Sequence, residues 1–108
     1  MKFNENNQMT FNKGFDDTWT AIILAIEEIK NLKIGFQEKQ TGEIYVNLGM
    51  FGSNQIPFFI KGIDENSSTI TIDWNERRRE MMRGSYPEFA KYEEMIEKII
   101  ATAIEKAK

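Results

Sequence analysis

Apolar residues from Phe15 onward recur at steps of three and four: Phe15, Trp19, Ile22, Ile23, Ile26 and Ile29. An α-helix turns once in about 3.6 residues, so this spacing gathers them on one face and predicts a first helix. Asp16 and Asp17 stand at its start, where carboxylates cap free amides and oppose the positive helix end, while Lys30 and Lys33 suit the negative end. Before the helix, Gln8 to Asn12 alternates polar residues with Met9 and Phe11, the period of a short strand.

After the helix the period drops to two. Ile34 and Phe36 alternate within Lys33 to Lys39, Thr41-Gly42 supplies a turn, and Ile44, Val46, Leu48 and Met50 alternate again, which predicts a β-hairpin. The glycine-bearing stretch Gly49 to Asn54 turns the chain into a strand from Ile56 to Ile63, with Phe58 and Ile60 facing inward and Pro57 near its start, where proline is tolerated. Asp64 to Ser68 is a turn cluster, and Ile70, Ile72 and Trp74 then alternate with Thr69, Thr71 and Asp73. The charged stretch Asn75 to Ser85 links the sheet to a terminal helix from Pro87, whose stripe is Phe89, Tyr92, Ile96, Ile99, Ile100, Ala103 and Ile104.

The resulting order is βαββββα. It predicts one α+β domain over 1–108: an antiparallel sheet of four to five strands, with two helices on one face and the other face open. Trp19 and Trp74 fall on the inward phase of their elements.

Composition changes the picture mainly by what it removes. The 108 residues include no Cys and no His, so disulfides, thiol chemistry, thiolate metal sites and the usual neutral-pH base are all missing. Hydrophobic residues at 41% and charged residues at 29% are ordinary for a globular chain. A net charge of −3 argues against a dedicated nucleic-acid binder, which would present a net basic face to phosphates. The longest apolar run, Ala21 to Ile26, is far below the roughly 20 residues of a transmembrane helix. No phosphate loop, dinucleotide fingerprint, calcium loop or zinc spacing occurs, and no cofactor is expected. Neighbouring acidic pairs such as Glu27-Glu28 point in different directions along a helix and serve solvation better than catalysis.

Three features offer binding chemistry instead. Arg77, Arg78, Arg79 and Arg83 place four guanidinium groups within one short segment, a candidate anion site, although flanking Glu76 and Glu80 also suit a solvated, self-paired loop. The outward phase of the sheet carries Tyr45, Asn47, Phe59, Lys61, Thr69 and Thr71, and aromatic residues on an open polar sheet suit a protein partner or self-association. Phe51, between Gly49 and Gly52, offers an apolar loop tip. The partner-binding candidates are therefore Tyr45, Phe59, Lys61 and Phe51.

The run from Met9 to Leu48 also carries a resemblance. A short strand, then Phe15, Asp17 and Trp19 opening a helix with Ala25 and Ile26 inside it, then Ile34 to Glu38 leading into Thr41-Gly42-Glu43-Ile44, resembles the helix-grip repeats of the outer-membrane assembly lipoprotein BamC and of small bacterial envelope lipoproteins. The likeness covers the first half of the chain. It implies a non-enzymatic accessory or binding domain of the bacterial cell envelope, reached after loss of an export signal, with a cytoplasmic location as the alternative. The early Trp is also similar to the helix-grip ligand carriers of the START and birch-pollen-allergen type, which makes a small hydrophobic-ligand carrier the second expectation. A small enzyme using Tyr, Lys and carboxylates is the third.

Overall fold

Alternation and turn chemistry place five strands where the pattern puts them. In the computed structural model, residues 8–48, 55–72 and 86–108 are described, without the side chains of Leu48, Gln55 and residues 86–93. The strands are β1 (Gln8–Phe11), β2 (Leu32–Glu38), β3 (Glu43–Leu48), β4 (Gln55–Asp64) and β5 (Ser67–Ile72); the helices are α1 (Phe15–Glu28) and α2 (Tyr86–Lys106). All neighbours pair antiparallel in the order β1-β5-β4-β3-β2, so β2 to β5 form a meander and β1 closes against the last strand. The fold is α+β with a five-stranded antiparallel sheet.

One face of the sheet is the core. Met9, Phe11, Ile44, Val46, Ile56, Phe58, Ile60, Ile70 and Ile72 are buried there against Trp19, Ile22, Ala25 and Ile26 of α1 and Ile96, Ile99, Ile100 and Ala103 of α2. The helices lie side by side on this face, and Lys106 of α2 reaches Glu28 of α1 at 3.1 Å. Trp19 is 7% exposed, on the inward phase as expected; Trp74 lies outside the described residues.

The start of α1 is held differently from the expectation. Its N-cap is Gly14, with extended backbone and no side-chain cap bond, so Asp16 and Asp17 occupy the first turn without capping it. Asp16 instead meets Lys39 at 3.1 Å, and both side chains are exposed. The tie to the sheet comes one residue earlier: the Lys13 carbonyl accepts the Thr18 hydroxyl at 3.0 Å and the Ser68 hydroxyl at 2.8 Å. Thr18 and Ser68 are fully buried polar residues, and the shared acceptor satisfies both.

At the other end, Asn31 adopts φ 73° between α1 and β2, a left-handed conformation that asparagine tolerates better than most residues. Gly42 does the same at φ 76° in the β2–β3 turn, where its carbonyl accepts the Ile60 amide at 2.8 Å. Pro57 is buried within β4, a central strand rather than an edge. It stands opposite Tyr45 in β3, and its neighbour Phe58 pairs with Ile72 in β5.

Candidate functional site

The face opposite the helices is built by the outward phases of β2 to β5. Register puts Tyr45 across from Pro57, Glu43 across from Phe59, Phe59 across from Thr71 and Lys61 across from Thr69. Tyr45, Phe59 and Lys61 therefore share one face, as the alternation predicts. Their exposure differs: Tyr45 and Phe59 are half-buried, while Lys61 is exposed. Tyr45 donates its hydroxyl to the Glu43 carboxylate at 3.1 Å, which orients the ring along β3.

Phe36 is the residue that the alternation misplaces. Ile34 pairs with Val46 on the inner face, but the ladder then slips by one residue and Phe36 pairs with Tyr45 on the outer face. Gly35 is the extra residue of this bulge, so Ile34 and Phe36, two apart in sequence, point to opposite sides of the sheet. The displaced ring lies 5.1 Å from the Tyr45 ring at an interplanar angle of 53°, and Phe36 is 44% exposed. A glycine inside an alternating strand was the available signal, because such a residue marks bulges.

A second bulge lies at the far end of β4. Gly62 pairs with Ser68 and Asp64 with Ser67, which leaves Ile63 unpaired and 57% exposed. In the adjoining turn the Asn66 amide donates to the Asp64 carboxylate at 2.8 Å. That bond, with the Ser67 hydroxyl, holds the Asp64 pKa below its ordinary 3.8.

The patch thus combines aromatic rings at Phe36, Tyr45 and Phe59, a buried proline between them, threonine hydroxyls at Thr69 and Thr71, and cationic heads at Lys33 and Lys61. It is an apolar area with a polar rim. Among the described residues no three His, Cys, Asp or Glu side chains group to hold a metal, and no described helix is long and apolar enough to cross a membrane. A cleft of about 250 Å³ between Thr10, Phe11, Lys13, Ile104 and Ala107 lies at the β1 edge, across the sheet from the aromatic patch. Phe51 and Arg77, Arg78, Arg79 and Arg83 lie outside the described residues.

Comparison with protein-family models, with curated proteins and with solved structures finds no match to this chain.

Proposed function

We propose that the chain is a non-enzymatic accessory domain that binds a protein partner through its helix-free sheet face. The observation that carries this reading is the cluster of Phe36, Tyr45 and Phe59 on one face of a sheet whose other face already holds both helices. Aromatic side chains with part of their area accessible contribute heavily to interface cores, because a large apolar surface is buried at small cost in rotamer entropy. The helix-grip likeness of Met9 to Leu48 adds the expectation of a bacterial cell-envelope setting, where accessory domains act by contact rather than by turnover. The ligand-carrier alternative has less support, since Ile22, Ile26 and Phe58 fill the layer between α1 and the sheet.

A photo-crosslinking residue at Phe59 in cells that naturally carry the protein tests the proposal, with the same residue at the exposed Leu24 of α1 as control. One hetero-adduct of defined mass is expected from Phe59, absent from Leu24 and lost when Tyr45→Ser is added with the circular dichroism unchanged. No adduct from Phe59, or the same adducts from Leu24, overturns the reading.

A further inference from the structure

The sheet has two edges, and they differ. β1 offers four residues, whereas β2 offers seven, and its residues from Gly35 to Glu38 are all exposed. An open strand edge presents unpaired backbone donors and acceptors, which pair readily with another strand.

The side chains of β2 say which strand fits. Lys33 and Glu38 are exposed, and neither joins an ion pair among the described residues. Lys33 pairs with Asn47 and Glu38 with Glu43, on the outer face that also carries Phe36. Counted along the sheet, the Gly35 bulge occupies one position together with Phe36, so Lys33 lies two positions before Phe36 and Glu38 two after it. An antiparallel copy of β2 turned about a two-fold axis at Phe36 would therefore set Lys33 opposite Glu38 twice, once on each side of the axis. Phe36 would face its own symmetry mate. Moving the axis one position to Ile34 or to Gln37 opposes Phe36 to Lys33 or to Glu38 and loses both charge pairs. A strand that is charge-complementary to itself in one register fits a second copy of the same chain, and two-fold pairing is the commonest closed symmetry of homo-oligomers.

We infer that β2 is a homodimerisation edge, which joins two copies into one continuous sheet about a two-fold axis at Phe36. The inference goes beyond the partner-binding reading and does not rest on it, since the edge works with or without a foreign protein on the sheet face. It has a consequence for that face: the Phe36–Tyr45 pairs of the two copies become neighbours, and the aromatic patch doubles.

Sedimentation of the full chain from micromolar to millimolar concentration tests it, with charge variants that leave Tyr45 and Phe59 untouched. A reversible dimer is expected for the native chain. Lys33→Glu and Glu38→Lys each oppose like charges at two symmetry-related places and weaken the dimer by about tenfold. The Lys33→Glu/Glu38→Lys double variant restores it. The chain has no cysteine, so Phe36→Cys introduces a sole thiol. Facing positions in antiparallel strands have Cα atoms about 4.5 to 5.5 Å apart, within disulfide reach, so diamide should convert this variant to a covalent dimer, with Thr10→Cys on β1 as the unreactive control. A native chain that stays monomeric throughout overturns the inference. So does a dimer indifferent to the single charge changes, or one that the double swap does not restore. The Phe59 crosslinking experiment fails or succeeds independently of all of these.

Discussion

Phe36 and Tyr45 face each other across the β2–β3 ladder with their ring centroids 5.1 Å apart, although strict alternation would put Phe36 on the opposite face. The extra residue Gly35 makes the difference. Removing it restores unbroken alternation and keeps every pair of the ladder, Ile34 with Val46 and Phe36 with Tyr45 included. Deletion of Gly35 is therefore expected to be tolerated, with a stability change on the order of 1 kcal/mol or less in urea unfolding. Loss of cooperative unfolding would show that the bulge carries essential curvature.

Gly42 is expected to be far less tolerant. Its φ of 76° disfavours any side chain, and a Cβ there would collide with the Ile60 backbone carbonyl, which belongs to the neighbouring central strand and cannot move aside. Gly42→Ala should cost roughly 3 kcal/mol, combining left-handed strain with displacement of β4. Thr41→Ala, one residue earlier, removes one exposed hydroxyl bond to the Glu38 carbonyl and should cost about 0.5 kcal/mol. Chemical denaturation of both variants gives the ratio directly.

These two glycines mark what the sequence makes legible. Strict periodicity reads well wherever one face is buried: the α1 stripe, the inward Ile44, Val46, Phe58, Ile60, Ile70 and Ile72, and the shared outward face of Tyr45, Phe59 and Lys61 all follow from period alone. Gly42 was legible as a turn because the Thr41-Gly42 pair separates two alternating runs. Gly35 gives a weaker sign: a glycine inside an alternating strand marks a candidate bulge site, but one inserted residue leaves the composition of β2 unchanged while reversing the phase of Phe36. Capping of α1 failed for a related reason. Asp16 and Asp17 have the right chemistry, but Gly14 takes the cap position, and the decisive acceptor is the Lys13 backbone carbonyl, which no side-chain pattern reveals. The β2 edge contact with a second copy is likewise invisible until register fixes which positions face one another.

Acid should weaken the β4–β5 turn. The Asn66 amide, the Ser67 hydroxyl and the Ser67 amide hold the Asp64 pKa below 3.8 in the folded chain, so the unfolded chain takes up the proton first as pH falls. The turn's contribution is present above the unfolded value and is lost as pH falls through the lower folded value. Asp64→Asn retains an acceptor oxygen but does not titrate. Urea midpoints measured between about pH 2 and pH 6 should show the native chain losing more stability than Asp64→Asn toward the acid end. Parallel acid limbs would mean that the carboxylate charge does not matter to the turn.

The Lys13 carbonyl sets the strongest expectation for coupling between distant parts of the chain. It accepts hydroxyls from Thr18 on α1 at 3.0 Å and from Ser68 on β5 at 2.8 Å, so one backbone atom joins the first turn of the helix to the last strand of the sheet. Thr18→Val keeps the shape of a fully buried residue and leaves the carbonyl with Ser68 as donor; Ser68→Ala leaves it with Thr18. Each single change should therefore cost only about 1 kcal/mol. Together they strip both hydroxyl donors from the acceptor, and its desolvation is then uncompensated. A double-mutant cycle should give a combined loss larger than the sum of the single losses by on the order of 1 kcal/mol. Strict additivity would mean that water replaces the missing donor, and that the two hydroxyls act on the helix and the strand separately.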